Sequence, residues 1–375
     1  MRVSTFSPDK ACQMMTLGLQ LLSSFREQHT EKVQNRMTIG VPRLVSAPAY
    51  LTDSGAAYCG DSIELLAQLP DSSINLVFTS PPFALQRQKA YGNKDQVEYV
   101  EWLAAFAREV RRVLKDDGSF VLDLGGSYEK GTPARSLYNF RVLIKFCDDV
   151  GFFLAEDFYW YNPSKLPSPI EWVNKRKLRA KDAVNTVWWF SKTAWPKADI
   201  TKVLAPYSDR MKKLLADPDA FYTPKLRPSG HDIGKGFAKD NGGAIPSNLL
   251  QIPNTESNGL YLDGCKTVGE KQHPARFPAK LPEFFIRMLT EPGDTVLDIF
   301  AGSNTTGQVA QAEERRWLAF ELSRDYVATS AFRFLSGDNT HDEMRELYDR
   351  IERGEAVDLN DYLFQRTLLS AAAGE

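Results

Sequence analysis

Short apolar strands alternate with amphipathic helices along most of this chain, and that alternation restricts the fold more than any other feature. INLVFT (74–79) is a run of strand formers preceded by a short amphipathic helix at 62–69. VEYVEWLAAFAREVRRVL (97–114) has helical periodicity, and Asp116-Asp117-Gly118 turns the chain into a second strand, SFVLDLG (119–125). The pattern continues with a helix over 135–150 and a strand over FFLAEDFYWY (152–161). Further on come a helix at 281–290, the strand TVLDIF (295–300), a helix at 306–314, the strand WLAFEL (317–322) and a helix at 324–335. Parallel strands need crossover connections and cover on both faces, so this order predicts an α/β protein with a mostly parallel sheet between helical layers. Residues 1–50 are polar and irregular, with one helical candidate near 14–27, and 340–370 suggests one or two more helices.

The texture changes between 163 and 264, where proline, glycine and basic residues dominate and periodicity fades. WWF (188–190) is the best strand candidate there, 207–217 the best helix, and 223–245 reads as a long surface loop. The net charge of −2 conceals an asymmetry: residues 161–240 hold 16 Lys+Arg against 8 Asp+Glu. A charge block of this kind is either a solvated face or a phosphate-binding footprint. Four cysteines without a CxxC pair read as reduced thiols of a cytoplasmic protein, and four scattered histidines give no expectation of a metal site. The chain has no run of eighteen apolar residues and no signal-peptide pattern, so no membrane association is expected.

Two motifs carry chemistry. The 74–79 strand stops at Ser80-Pro81-Pro82-Phe83. Consecutive prolines fix φ, supply no N–H and leave backbone carbonyls unpaired, which makes either loop punctuation or a rigid pocket lip. The second motif, TVLDIFAGSNTTGQVA, is a strand, a small-residue turn and a helix start, followed by Glu321 at the end of the next strand. A carboxylate so placed can accept bonds from both hydroxyls of a ribose. A dinucleotide fingerprint requires glycine where Phe300 stands. An acid (Asp298) and an aromatic beside the turn suit a cationic, phosphate-free nucleoside better, and S-adenosylmethionine answers that description.

With these residues in view, the chain resembles the β-type amino DNA methyltransferases, in which an S-P-P-[YF] motif precedes an F-x-G cofactor turn. GDSIELL, TSPPFALQRQKAYGN, PARSLYNFRVLIKF, VGFFLAEDFYWYNPSKLPSPIEWVNKRK, RPSGHDIGK, HPARFPAKLPEFFIRMLTEP and DIFAGSNTTG carry the resemblance over roughly 50–335. It is densest to cytosine-N4 enzymes of type II restriction–modification systems that modify the inner cytosine of CAGCTG. The resemblance implies a Rossmann-like S-adenosylmethionine-dependent fold, circularly permuted in motif order and carrying an inserted target-recognition region. It implies an N-terminal extension (1–50), a catalytic half (51–162), target recognition (163–264), a cofactor half (265–335) and C-terminal helices (336–375). Ser80, Pro81, Pro82 and Phe83 would hold the flipped base. Asp298, Phe300, Gly302, Ser303, Asn304 and Thr305 would form the cofactor turn, and Glu321 would take the ribose. Asp61 would lie near the adenine, or serve only as a helix N-cap. His273, Pro274, Ala275, Phe277 and Pro278 would pass under the methionine moiety, or form a plain loop entering a helix. The implied partners are double-stranded DNA and, functionally, a cognate restriction endonuclease, with the enzyme acting as a monomer.

The chemistry is consistent with those residues. An exocyclic amine is a weak nucleophile because its lone pair is delocalised into the ring. Two acceptors, the Ser80 hydroxyl and the Pro81 carbonyl, would engage both N–H bonds and turn the lone pair toward the sulfonium methyl, while Phe83 stacks on the extruded ring. None of the cysteines sits in a Pro-Cys loop, which argues against a covalent C5 mechanism. N6-adenine methylation by the same route is the nearest alternative. A DNA-binding protein without catalysis and a nicotinamide-dependent oxidoreductase are more distant ones.

Overall fold

The computed structural model describes residues 40–83, 96–218, 239–255 and 259–363. In chain order its strands are β1 (Tyr50–Thr52), β2 (Gly55–Cys59), β3 (Ile74–Thr79), β4 (Leu114–Gly125), β5 (Phe153–Tyr161), β6 (Val184–Ser191), β7 (Leu249–Gln251), β8 (Thr295–Asp298), β9 (Arg316–Glu321) and β10 (Val357–Asp358). They form one sheet in the order β10-β1-β2-β9-β8-β3-β4-β6-β5-β7. The run from β2 to β4 is parallel throughout, and β6 enters antiparallel between β4 and β5.

The period-two patterning of the strands divides the core between the two faces of this sheet. Ile74, Val77, Phe120, Leu122, Leu318 and Phe320 point to one side. There they meet α1 (Ser62–Leu66), α2 (Gln96–Val113) and α3 (Tyr138–Lys145), the last continued by a π-helical turn at Phe146–Val150. Leu76, Phe78, Val121, Val296, Trp317 and Ala319 point to the other. Chain order numbers the remaining helices α4 (Asp209–Ala216), α5 (Leu260–Val268), α6 (Lys280–Leu289), α7 (Thr305–Ala312), α8 (Arg324–Ser330) and α9 (His341–Glu352). Of these, α6 to α9 supply most of the cover on the second face. Among the described residues no helix is long and apolar enough to cross a membrane.

The order of elements agrees with the alternation in the sequence, and the departures have local causes. The helix expected from 135 begins at Tyr138, because an antiparallel bridge between Tyr128 and Arg135 occupies the preceding residues. The helix expected over 324–335 tightens into a 3-10 turn at Ala331–Phe334. The segment 163–264 contributes β6 to the interior of the sheet, between β4 and β5, with Val187, Trp188, Trp189 and Phe190 buried. WWF, the strand candidate of this segment, lies at the centre of β6, which extends it on both sides. The helical candidate near 14–27 and most of the loop at 223–245 lie outside the described residues.

Phe285 of α6 is fully buried against the Phe78 and Phe158 rings, at 5.8 and 5.1 Å between centroids. Its replacement by alanine removes a large side chain from a site bounded by sheet and helix. Phe285→Ala is expected to destabilise the fold by about 3–5 kcal/mol, read as a shifted midpoint in urea unfolding; a shift under about 1 kcal/mol would show that this face repacks freely.

Candidate active site

In an open α/β sheet, ligands bind beyond the carboxyl ends of the strands, where the chain order reverses direction. Here that point lies between β3 and β8, which pair in register at Leu76–Val296 and Val77–Leu297. Both sequence motifs therefore emerge side by side at one edge, although Thr79 and Asp298 are 219 residues apart in the chain.

Beyond β8 the chain forms the turn Ile299–Asn304 and enters α7. Gly302 has φ +52°, and a Cβ there would stand 3.0 Å from the His273 ring, so both backbone hand and space favour glycine. The Gly302 amide donates to Glu321 Oε2 at 2.9 Å, and the Ser323 amide donates to Glu321 Oε1 at 2.9 Å. Burial pushes the Glu321 carboxyl up, against the pull of those amides. Phe300 leaves the turn toward α2, packing on Trp102 and Phe106 at 5.6 and 4.9 Å.

The remaining residues of the turn stand behind it. Asp298 is 1% exposed, and Thr79 and Thr306 each donate a hydroxyl to one of its oxygens at 2.6 Å, while the Phe300 amide donates at 3.1 Å. Burial raises its pKa to about 6. Asn304, in the left-handed region at φ 52°, caps α7 by accepting from the Gly307 amide and donates to the Tyr50 hydroxyl. Ser303 and Thr305 are buried, and Arg333 donates to the Ser303 carbonyl and hydroxyl. These four side chains shape the turn instead of facing outward from it.

Beyond β3, Ser80 and Phe83 are half-buried and Pro81 is buried. The Ser80 hydroxyl donates to Asp123 Oδ2 at 3.0 Å, and Asn185 Nδ2 donates to Asp123 Oδ1 at 3.0 Å. Asp123 lies at the end of β4, 2% exposed. Burial raises its pKa to about 6, partly offset by Asn185, Ser80 and the charge of Lys165. The Phe83 ring lies over Gly125, where an added Cβ would come within 2.4 Å of it. Asp123 and Asn185 went unnoticed in the sequence, although an aspartate inside the apolar run SFVLDLG is itself a signal of a partnered buried charge.

Asp61 caps α1, its Oδ1 accepting from the Ile63 amide at 2.8 Å. It is exposed and follows β2, whose Cys59 pairs with Glu321, so the two carboxylates sit at neighbouring strand ends. The loop from His273 to Pro278 crosses the switch point. Its His273 ring stands edge-on to Tyr326 at 4.6 Å, beside Gly302, and Phe277 packs edge-on to Phe78 of β3 at 5.4 Å. Pro274 and Ala275 are exposed.

A DNA methylase family model of the N6/N4 type matches residues 74–332. The chain belongs to this family. It is 65% identical to the type II methyltransferase M.PvuII of Proteus hauseri, over 93% of this chain and 100% of that protein. It is 26% identical to the type II methyltransferase M.BglII of Bacillus subtilis, over 82% of this chain and 78% of that protein. The solved structure of PvuII DNA methyltransferase (cytosine-N4-specific) superposes with a TM-score of 0.71 at 59% identity, covering 85% of this chain and 99% of that one. The sheet, the helical layers and the permuted order of the motifs are those of this methyltransferase fold.

Both Asp123 oxygens accept a hydrogen, from Ser80 and from Asn185, so a proton bound to either displaces one of these bonds, and methyl transfer is expected to fall as pH drops through about 6. The sign excludes unfolding at this group: its folded pKa is raised, so protonation below about 6 favours the folded chain, and stability from this source is lost as pH rises from about 4 to 6. Asp123→Asn should flatten this acid limb and lower kcat, and Ser80→Ala should cost roughly 10²–10³ in kcat. A wild-type profile flat to pH 5, or a Ser80→Ala enzyme within threefold of wild type, would contradict the arrangement.

Proposed function

We propose that this chain transfers the methyl group of S-adenosylmethionine to N4 of a cytosine flipped out of duplex DNA, in the sequence CAGCTG. The observation that carries the proposal is the Ser80–Asp123 hydrogen bond. A hydroxyl whose hydrogen is committed to a buried carboxylate has only lone pairs left to offer, so toward the pocket Ser80 is an acceptor. With the Pro81 carbonyl it supplies the two acceptors that an exocyclic amine needs to turn its lone pair out of the ring plane. Phe83 stacks on the extruded ring, held in place by the glycine beneath it. Attack on the sulfonium methyl is a direct displacement, aided chiefly by proximity and orientation.

For the cofactor, Glu321 accepts from the ribose hydroxyls, Asp61 lies toward the adenine, and Phe300 and the Gly302 backbone form the near wall. His273, Pro274, Ala275, Phe277 and Pro278 pass beneath the methionine moiety. Asp298, Ser303, Asn304 and Thr305 act one step removed, by fixing the turn. The part of 163–264 outside β6 serves target recognition. Its biological setting is host protection beside a cognate restriction endonuclease, with the enzyme working as a monomer. Cytosine-N4 is favoured over adenine-N6 by the likeness to the PvuII methyltransferase, a cytosine-N4-specific enzyme whose solved structure is 59% identical to this chain.

Incubation of a CAGCTG duplex with labelled S-adenosylmethionine is expected to place the label in N4-methyl-2′-deoxycytidine, with little uptake by a CAGATG control, since one wrong base pair costs about 1–3 kcal/mol. Label in N6-methyladenosine or 5-methylcytosine after nucleoside chromatography would overturn the reaction. Label in the expected nucleoside at other sites would overturn only the recognition sequence.

A further inference from the structure

Directly after β5 the chain runs Asn162-Pro163-Ser164-Lys165-Leu166-Pro167, leaving the sheet at the same end as Asn185 and Ser80. The placement follows from sheet register. Trp160 pairs with Asn185, and Asn185 holds the carboxylate that holds Ser80. The loop is close enough for the Lys165 ammonium to act on Asp123. Its backbone is fixed at several points: the Ser164 amide donates to Asn162 Oδ1 at 3.0 Å, and Lys181 Nζ donates to the Pro163 and Lys165 carbonyls at 3.0 and 3.2 Å. The Asp182 amide donates to the Ser168 carbonyl at 2.9 Å, and the Asp182 carboxylate pairs with Arg135 at 3.0 Å. On this braced loop the Leu166 side chain is 81% exposed.

Single exposed leucines are ordinary on protein surfaces. This one is distinguished by its rigid support, its place at the end of the sheet that carries Ser80, and its neighbours: 163–182 holds six Lys and Arg against two acids. Extruding a base leaves a gap between its flanking pairs and costs about a few kcal/mol in lost stacking and pairing. An apolar side chain that enters the gap restores contact with the flanking bases and sheds its own water. We propose that Leu166 is this wedge, filling the space the target cytosine vacates. The inference rests on the proposed extrusion of that cytosine into the Ser80 pocket. Lys165 and the basic residues behind it would then lie along the phosphates that flank the gap, in keeping with wedges that work beside backbone contacts.

The test uses the full chain with S-adenosylhomocysteine and a CAGCTG duplex in which a matched 2-aminopurine·thymine pair replaces the target cytosine·guanine pair. Wild-type enzyme is expected to raise the fluorescence, Leu166→Ala to cut that rise at least fivefold, and Leu166→Met to restore most of it. On unmodified duplex, kcat/KM of Leu166→Ala should fall about tenfold. It should return to within about threefold of wild type when the target cytosine stands in a mismatch and is already loosened. Cofactor affinity should not change. Trp195→Ala, which removes an 88% exposed ring beyond the far end of β6, should behave as wild type. A Leu166→Ala enzyme indistinguishable from wild type, or one equally impaired on matched and mismatched duplexes, would overturn the wedge. No fluorescence rise with the wild type would instead overturn the extrusion on which the inference rests.

Discussion

One buried carboxylate ties the two halves of the site together. Asp298 ends the strand that leads into the cofactor turn, and Thr79 ends the strand that leads into Ser80-Pro81-Pro82-Phe83. The hydrogen bond from Thr79 to Asp298 at 2.6 Å crosses directly between them. The other oxygen of Asp298 is held by Thr306, in the first turn of α7, and the Phe300 amide adds a third bond. Strand, turn and helix are thus referred to one point that is 1% exposed, where an unmade bond to a charged group is costly. Relative placement of a methyl donor and an acceptor amine to within a fraction of an ångström needs a connection of this rigidity.

A second carboxylate does similar work on the acceptor side. Asp123 is also buried, and its two oxygens take hydrogens from Ser80 and Asn185. The two acids differ in what they hold. Asp298 accepts from Thr79, Thr306 and the Phe300 amide, whereas Asp123 sets the orientation of the Ser80 hydroxyl, which in the proposed mechanism faces the acceptor amine. Glu321 completes a row of three acids along the carboxyl edge of the sheet, and the charge of Asp298 adds to the upward push on its pKa. Such a row is unfavourable in isolation, and a cationic cofactor relieves it.

Much of this was legible in the sequence because it resides in local pattern. Alternating strands and helices, Ser80-Pro81-Pro82-Phe83, the glycine turn and Glu321 are each contained in a few consecutive residues, and the sheet brings them to one edge. Long-range register was not legible. The pairing of β3 with β8 turns Asp298 inward, where Thr79 and Thr306 each donate to one of its oxygens. Asp123 and Asn185 lie on strands joined antiparallel, Gly125 opposite Asn185, and nothing near either residue announces the other. The strand β6 was legible only at its centre, WWF, since its eight residues sit within a stretch whose loops set its composition.

Thr79 is fully buried and ends the strand that leads into Ser80, so it cannot touch a cofactor directly. Calorimetric titration of Thr79→Val with S-adenosylmethionine therefore isolates the connection through Asp298. If the two halves depend on that bond, affinity should fall about five- to tenfold, corresponding to roughly 1–1.4 kcal/mol, in a chain that remains folded at the temperature of titration. An affinity equal to that of the wild type would contradict the claim that the acceptor pocket and the cofactor turn are held as one unit.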